Sequence, residues 1–235
     1  LISNVTFGSN VIQFIVRDLD DMEESAMDAK LGDLNVLVND INTDKYPIVH
    51  FNVDASNFDI QTYVNTYFCF IEYCKFLFDV FGRVGLINNS HVLLGLVNLR
   101  MTNAFWYQMC MVFGNAKDDR SIKPLTSMDV CCHELTHGLI ANTVDLEYNG
   151  ESGALNESIA DIFGVCVEFY VNCSIDIPDW TMGEQFKYII RSFENPKTYR
   201  QPTTYRGQYW VDPSSTTDNG GVHTNSGVFN YCCYL

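Results

Sequence analysis

The sequence lacks long apolar runs and is poor in basic residues. It contains no run of about 18 apolar residues, the length that a membrane-spanning helix requires. Its most apolar stretch, residues 63–81, is interrupted by three charged side chains. Lys and Arg number 14 against 29 Asp and Glu, and the formal net charge is −15. A chain of this charge is a poor partner for nucleic acid or an anionic membrane, and we predict neither.

Cysteine occurs in no pattern that predicts a thiolate metal site. None of the nine cysteines belongs to a Cys-x-x-Cys pair, and two pairs, Cys131-Cys132 and Cys232-Cys233, are adjacent in the chain. Adjacent cysteines rarely bridge each other, so we interpret most of the nine as small apolar core residues. No signal peptide is recognisable and the chain begins at Leu1, which we interpret as a processed or trimmed form.

The sequence does contain a change from strand-like to helix-like patterns along its length. Residues 11–16, 48–53 and 92–97 are predicted strands, because they are apolar and β-branched between polar turns. Residues 59–81 carry apolar side chains at helical spacing and end at Gly82, which predicts a buried helix. Its predicted core positions are Tyr63, Tyr67, Phe70, Cys74, Leu77 and Phe81.

A further extended segment opens at residues 103–106 and ends at residues 111–114. It is either an edge strand that offers backbone groups to an extended peptide in a cleft, or an interior strand of a sheet. Periodicity predicts helices at residues 127–141, 152–172 and 186–193, and the opening of another helix after residue 220.

The clearest chemical motif is the stretch at residues 129–137, which reads Asp-Val-Cys-Cys-His-Glu-Leu-Thr-His. His133 and His137 are four residues apart, a spacing that places two side chains on one face of a helix. Two such imidazoles can share one metal ion, and Glu134 lies beside whatever the metal binds. This is the His-Glu-x-x-His pattern of zinc peptidases, with the glutamate as general base. The alternative is two ordinary helical histidines.

A second motif supplies a third ligand. Residues 153–164 read Gly-Ala-Leu-Asn-Glu-Ser-Ile-Ala-Asp-Ile-Phe-Gly, and Glu157 lies 24 residues after His133 on a separate predicted helix. A catalytic zinc takes three protein ligands and leaves one position open for water, a rule that two histidines and one carboxylate satisfy. With both motifs, the chain resembles the thermolysin-like zinc metalloendopeptidases from about residue 59 to its end.

The resemblance implies an α+β fold with two lobes. A β-rich N-terminal lobe, residues 1–141, would include the predicted helix at residues 127–141, which is called the metal helix below. A mainly α-helical C-terminal lobe would occupy residues 142–235. The C-terminal lobe is incomplete relative to the family, because the chain ends soon after the last matching motif. The lobes would flank an active-site cleft with the metal helix at its floor.

The resemblance also implies roles for single residues at the metal. His133, His137 and Glu157 would bind one Zn²⁺, and Glu134 would be the general base. Asp161, one helical turn after Glu157, would orient His133 through a hydrogen bond. The alternative for Asp161 is a charge on the surface of the helix.

A third signature stands at residues 218–223, Asp-Asn-Gly-Gly-Val-His. By resemblance, His223 would hydrogen-bond the oxyanion of the tetrahedral intermediate, Asp218 would orient His223, and Tyr148 would also point at the oxyanion.

Contacts with substrate are implied on both sides of the cleft. Asn103 and Ala104 match edge-strand residues that bind substrate backbone, and Arg191 matches an arginine that bonds a substrate carbonyl. The alternative for Arg191 is a helix-surface arginine. The family's pocket for the side chain just after the cut is apolar, so we expect a preference for bulky apolar residues there. Its lining would include Ile122, Leu125, Val130 and Ile190.

Four carboxylates fall where the family binds calcium: Asp129, Glu168, Asp179 and Glu184. Hard oxygen ligands at this density suit Ca²⁺, and the alternative is a solvated acidic cluster. The segment between residues 184 and 191 is shorter than the family pattern, so we expect a further calcium site of the family to be absent.

We therefore expect a secreted, monomeric endopeptidase, made as a zymogen, that cuts peptides or proteins N-terminal to bulky hydrophobic residues. A zinc-bound water activated by Glu134 would be the nucleophile. The alternative is an inactive or truncated homologue that binds zinc and peptide without turnover. An aminopeptidase of a related zinc clan is less favoured, because its Gly-x-Met-Glu-Asn run is missing.

Overall fold

The structure, a computed structural model, describes most of the chain. The described residues are 2–18, 58–86, 92–107, 110–114, 125–172, 177–186 and 188–235. The strand predicted at residues 48–53 and the pocket residue Ile122 lie outside these ranges, and both stay predictions.

Five described strands precede the predicted metal helix: β1 at Ile2–Phe7, β2 at Asn10–Asp18, β3 at Val92–Leu99, β4 at Ala104–Tyr107 and β5 at Cys110–Gly114. They form one sheet with the order β1-β2-β3-β5-β4. The two central pairs, β2 with β3 and β3 with β5, are parallel, and the outer pairs are antiparallel. The strands predicted at residues 11–16 and 92–97 are confirmed within β2 and β3.

Strand β4 lies at the edge of this sheet, in the part of the chain that the structure describes. It pairs with β5 alone, with Ala104 opposite Phe113 and Tyr107 opposite Cys110. The predicted single segment is thus two antiparallel strands, of which β4 lies at the edge of the described sheet and β5 lies inside it, between β3 and β4.

Helix α1, Phe58–Phe81, packs on the sheet and on the metal helix, and it confirms the predicted buried helix. It ends at Gly82, whose φ of +65° is the left-handed conformation that glycine adopts without strain. The predicted core position Phe81 is wrong, because its side chain is 57% exposed. It stacks on Phe163 at the surface instead, with ring centroids 5.7 Å apart. Of the other predicted core side chains, Phe70, Cys74 and Leu77 are fully buried and Tyr67 is partly buried, whereas the side chain of Tyr63 lies outside the described part.

Helices α2, Met128–Ala141, and α3, Gly150–Val171, pack closely against each other and match the helices predicted at residues 127–141 and 152–172. They approach each other closely at Gly164, where an added Cβ atom would lie 2.5 Å from the main-chain oxygen of Asp129. Because α2 carries the two motif histidines and α3 carries Glu157, this contact sets the distance between them.

The helix predicted at residues 186–193 is wrong. A two-stranded antiparallel hairpin occupies this region, with β6 at Thr181–Met182 and β7 at Arg191–Ser192. The amides of Ile190 and Phe193 donate to the carbonyl oxygens of Met182 and Trp180, each at 2.8 Å. These pairings, together with the burial of Phe193, override the local helical pattern.

After the hairpin, a short 3-10 helix at Pro196–Tyr199 leads into an irregular segment and two short helices. These are α4, Asp218–Asn225, and α5, Gly227–Tyr234, where the sequence predicted the opening of a helix. The chain thus has a strand-containing N-terminal region and a helical C-terminal region, which confirms the α+β class. The division at residue 141 stays a prediction.

The described residues bear on the predictions about membrane-spanning helices and about the cysteines. None of the helices there combines the length and the hydrophobicity that a bilayer crossing requires. All eight described cysteines are free thiols. Most are buried or half-buried as predicted for core residues, whereas Cys232 and Cys233 are exposed.

We predict that Gly164→Ala lowers the free energy of unfolding by about 2–3 kcal/mol, since the new methyl group meets the Asp129 backbone and not a mobile side chain. The gain of about 1 kcal/mol from replacing glycine in a helix is smaller than this overpacking cost. Urea denaturation measures the change. Leu155→Ala, at an exposed position of the same helix, is the control and should stay near wild type. Equal stability of Gly164→Ala and wild type would contradict the close contact.

Candidate metal centre and active site

A cleft of about 720 Å³ lies between strand β4, helices α2 and α3, and the β6–β7 hairpin. The predicted substrate-binding residues Asn103 and Ala104 line it from the edge strand, and Arg191 lines it from the hairpin. The predicted metal and catalytic side chains that line the same cleft are His133, Glu134, His137, Tyr148, Glu157 and His223.

The three predicted zinc ligands converge at the floor of this cleft. Nε2 of His133 is 3.0 Å from Nε2 of His137 and 3.6 Å from Oε2 of Glu157. Nε2 of His137 is 3.3 Å from Oε1 of Glu157. Ligand atoms bound to zinc at about 2.0–2.1 Å with tetrahedral angles lie about 3.3–3.4 Å apart. The three side chains therefore have the spacing to bind a single zinc ion.

The chemistry of the donor set also fits a cation. Glu157 is fully buried, and its Oε2 atom has no hydrogen-bond partner among the described residues. Burial would raise the pKa of the Glu157 carboxyl, but the adjacent imidazoles, that of His137 first, hold that pKa well below its ordinary value. A buried, ionised carboxylate between two imidazoles needs compensating positive charge, which a divalent ion provides.

Asp161 lies behind His133, one helical turn after Glu157. Its Oδ1 atom is 2.8 Å from Nδ1 of His133, and it also accepts a hydrogen bond from Nη2 of Arg191 at 2.7 Å. Asn230 donates to Oδ2 at 2.7 Å. Burial would raise the pKa of Asp161, but Arg191 and His133 hold it below its ordinary value. Asp161 is fully buried, which excludes the alternative of a helix-surface charge.

Asn156 gives His137 the support that Asp161 gives His133, and sequence reasoning missed it. Its Oδ1 atom lies 2.7 Å from Nδ1 of His137, and its own amide donates to the carbonyl of Leu146 at 3.2 Å. The amide oxygen can only accept, so His137 carries its proton on Nδ1 and keeps Nε2 free for a metal. The position directly before Glu157 is the only sequence signal that could have indicated it.

Glu134 lies beside the two histidines and is held by the edge strand. The main-chain N–H of Trp106 donates to Oε2 of Glu134 at 3.0 Å. Burial raises the pKa of the Glu134 carboxyl, and the neighbouring imidazoles counteract only part of this shift. Along a strand, backbone groups alternate in direction, so the main-chain N–H and C=O of Ala104 face the same side as Trp106 N–H. That side is the cleft.

His223 reaches the cleft from α4. Its Nδ1 atom lies 2.6 Å from Oδ1 of Asp218, and its main-chain N–H donates to Oδ2 at 3.0 Å. Its Nε2 atom is 3.3 Å from the hydroxyl of Tyr148 and 3.4 Å from Oε1 of Glu157. The Tyr148 hydroxyl also donates a short hydrogen bond to Glu157. The structure thus brings the predicted His223, Asp218 and Tyr148 together next to the metal ligands.

Arg191 lies on strand β7 and not on a helix surface, so that alternative is wrong. Its Nη2 atom bonds Asp161, and its buried Nε atom has no hydrogen-bond partner among the described residues. The apolar end of the cleft next to it contains the predicted Leu125, Val130 and Ile190. It also contains Phe186, which sequence reasoning missed because that stretch was predicted to be helical.

A second group of carboxylates lies at the N-terminal end of α2, one helical turn before His133. Ligand oxygens of Asp129, Glu168 and Glu184 all lie within 4.8 Å of one another. Asp129 accepts a hydrogen bond from the N–H of Val130 at 2.7 Å and a short one from the N–H of Gly183. The fourth predicted calcium ligand, Asp179, does not belong to this group, and its Oδ1 atom accepts hydrogen bonds from Thr181 instead.

Comparison with protein families matches nearly the whole chain to two adjacent domains. Residues 16–141 match the family model described as "Thermolysin metallopeptidase, catalytic domain", and residues 144–235 match "Thermolysin metallopeptidase, alpha-helical domain".

Among curated relatives, a bacillolysin of Bacillus caldolyticus is 37% identical over 191 residues, which is 77% of this chain and 32% of that protein. A bacillolysin of Bacillus cereus is 42% identical over 139 residues, which is 57% of this chain and 23% of that protein. The chain thus spans about a third or less of these relatives.

Among solved structures, the chain is similar to the precursor of protealysin, a metalloproteinase from Serratia proteamaculans. The TM-score is 0.73 at 27% sequence identity, and the match covers 100% of this chain and 70% of that chain.

We predict that Asp161→Asn lowers zinc affinity by roughly 10–100-fold, because the amide lacks the negative charge that raises the basicity of His133 and can also turn its NH2 group toward Nδ1. Competition with a chelator measures the dissociation constant. Asp145→Asn, the same change at an exposed residue on the rim of the cleft, is the control and should bind zinc as wild type does. Wild-type affinity in a folded Asp161→Asn variant would show that His133 is oriented without Asp161.

Proposed function

The chain belongs to the thermolysin family of metallopeptidases, and from this premise we propose that it is a zinc-dependent endopeptidase that hydrolyses internal peptide bonds. The convergence of His133, His137 and Glu157 at ligand spacing, with Glu134 beside them, is the observation that carries the proposal. Zinc, when bound by these three side chains, polarises the scissile carbonyl and lowers the pKa of water next to it. The remaining chemistry comes from the residues around the ligands.

Glu134 is the proton carrier in this proposal. Its carboxylate takes one proton from water as the water oxygen bonds to the carbonyl carbon of the substrate. It delivers that proton to the peptide nitrogen as the C–N bond breaks, so a carboxylic acid and an amine are released. The hydrogen bond from Trp106 N–H to Oε2 supports this role, since it fixes the carboxylate and leaves Oε1 for the proton.

His223 and Tyr148 stabilise the oxyanion that develops on the substrate. The contact of Nδ1 with the Asp218 carboxylate places a proton on that nitrogen, because a carboxylate accepts only. Donation by His223 to the oxyanion uses a proton on Nε2, the atom that faces the cleft. Asp218 anchors His223 before the substrate arrives, and Tyr148 would turn its single O–H from Glu157 to the oxyanion, so both interact most strongly with charge that exists only in the transition state.

The edge strand and Arg191 hold the substrate backbone. An extended peptide can pair with the cleft side of β4, where the main-chain groups of Ala104 face, and the exposed Asn103 side chain adds a polar contact at the rim. The unpartnered Nε of Arg191 is available to a carbonyl oxygen of the substrate after the cut. Backbone pairing is independent of side chains, which supports a broad endopeptidase.

Selectivity comes from the apolar end of the cleft. Leu125, Val130, Phe186 and Ile190 line it beside Arg191, so the side chain just after the cut is the one that contacts them. We propose a preference for apolar side chains at this position. A secreted location and a monomeric state are further parts of the proposal and rest on the family resemblance alone.

The carboxylates of Asp129, Glu168 and Glu184 are proposed to bind Ca²⁺. The support is the close approach of three carboxylates, two of them buried, which repel one another unless a cation lies between them. Binding there would join α2, α3 and the hairpin, because one carboxylate comes from each.

Glu134→Gln is expected to retain one zinc per chain and to lower kcat by roughly 10²–10⁴-fold, the usual contribution of a positioned acid–base group. A quenched peptide measures turnover, and metal analysis measures zinc on the same sample. Glu151→Gln, at an exposed position on α3, is the control. Normal turnover by Glu134→Gln would remove the base assignment. If the wild-type chain itself binds zinc and peptide without turnover, the binding-module alternative holds.

Phe186→Ala should enlarge the apolar end of the cleft. We expect the ratio of kcat/KM for substrates with Phe just after the cut to those with Val there to rise by about tenfold, a typical effect of pocket size. Phe229→Ala, at an exposed position on α5, is the matched control. An unchanged ratio in the Phe186 variant would show that this ring does not limit the pocket.

A further inference from the structure

We infer that Gln201 is a positioning residue for His223, which it holds in place through the main-chain carbonyl of His223. This inference rests on the proposed function, since it concerns the group that contacts the oxyanion. The sequence offered no indication of it, because residues 195–221 contain no recognised motif around Gln201.

The backbone that leads to His223 is held in an unfavourable conformation. Asp218, Asn219, Gly220 and Gly221 have φ values of +52°, +47°, +85° and +76°. Left-handed backbone is unfavourable for a residue with a Cβ atom, as in Asp218 and Asn219, and it persists only where surrounding contacts impose it. The position of His223 at the end of this stretch therefore depends on contacts made with other segments.

Contacts with other segments hold the residues on either side of His223. Gly220 packs so closely on Pro213 that an added Cβ atom would lie 2.5 Å from the Pro213 carbonyl oxygen. The Asn225 side chain accepts from the N–H of Val211 at 2.9 Å and donates to its carbonyl at 2.8 Å. Neither contact involves His223 itself.

Gln201 makes the contact to His223. Its Nε2 atom donates to the His223 carbonyl at 2.7 Å and lies 3.3 Å from Oγ of Ser226, whose hydroxyl donates to the same carbonyl at 3.0 Å. The amide orientation is fixed, because a carbonyl can only accept and the opposite rotamer would place two acceptors together. The His223 carbonyl thus receives two hydrogen bonds, one of them from a distant segment.

The position of Gln201 makes it a rigid support. It is only 3% exposed, and its main-chain N–H donates to the Pro196 carbonyl at 3.0 Å, which ties it to the 3-10 helix. That helix packs on β7, the strand that carries Arg191. Arg191 bonds Asp161, which contacts His133. The segment at residues 196–201 therefore contacts both β7, whose Arg191 bonds the Asp161 that contacts His133, and the main-chain carbonyl of His223.

This connection matters because a donor to an oxyanion acts over a narrow distance. The Nε2 atom of His223 is 3.4 Å from Oε1 of Glu157, so a shift of its backbone by even 1 Å changes its distance to any atom that reacts at the metal. Misplacement of that size affects the transition state more than the bound substrate. Loss of the Gln201 hydrogen bond should therefore lower kcat and leave KM nearly unchanged.

The test is Gln201→Met in the zinc-loaded protein, assayed with a quenched peptide. Methionine keeps the length of the side chain and removes the donor. We expect kcat to fall about tenfold, with KM and zinc content within about twofold of wild type. Gln208→Met, the same change at an exposed position of the same loop, is the control and should leave both constants unchanged. A rise in KM at constant kcat would overturn the inference.

A double-mutant cycle distinguishes positioning of His223 from general loosening. His223→Ala should lower kcat by roughly 10²–10³-fold, and adding Gln201→Met to it should change kcat by less than about twofold. A further tenfold fall in that background would show that Gln201 acts elsewhere. If Gln201→Met does not fold, Ser226→Ala removes the other donor to the same carbonyl and must show the same non-additivity with His223→Ala.

Failure of the proposed function would give a different result from failure of the inference about Gln201. Absence of turnover in the wild-type chain would contradict the peptidase proposal, and the positioning of His223 would then be read from crystal structures of the zinc-loaded wild type and Gln201→Met. Displacement of the His223 ring from Glu157 in the variant supports the inference. An unmoved ring, with Asp218 still bonded to it, would refute it.

Discussion

Glu157 can share a metal ion with His133 and His137 only because α3 packs against α2 at a distance that Gly164 permits. The His133–His137 pair is a local feature, since residues four apart on one helix adjoin each other wherever that helix lies. The third ligand is not local. It depends on a helix–helix contact in which the Cα atom of Gly164 faces the main-chain oxygen of Asp129. The metal site therefore forms with the tertiary fold and cannot precede it.

Buried charge is the second constraint on this site. The chain carries a net charge of −15, yet Glu134, Glu157 and Asp161 are buried within a few ångströms of one another. Each is balanced by a specific partner: imidazoles at Glu157, Arg191 at Asp161, and the Trp106 amide at Glu134. Because an unpaired buried carboxylate is costly, removal of one partner should affect several residues at once. Residues in the cleft should therefore be treated as one coupled network.

The sequence predicted the features that depend on residues close to one another in the chain. The helix with the two histidines, the helix with Glu157 and the buried helix α1 all follow from local patterns, and all are confirmed. The edge position of β4 does not follow from them, because the local pattern left edge and interior placements open. The helix predicted at residues 186–193 is wrong because contacts between the two sides of a hairpin decide that segment. Asn156, Phe186 and Gln201 were missed for a related reason: each acts through a partner that is distant in the chain or through the main chain. Phe81 was assigned to the core because periodicity identifies a helix face but not where the protein surface ends.

The edge position of β4 has a consequence for how the chain meets other proteins. Backbone groups that are left unpaired for one extended segment are unpaired for any extended segment, including a strand from a neighbouring copy. Natural sheets limit such pairing by keeping their edges short or covered. Strand β4 is only four residues long, and Glu134 already accepts the amide of Trp106. The exposed edge of β4 is therefore long enough to pair with a few residues of an extended peptide but too short to start a continuous intermolecular sheet.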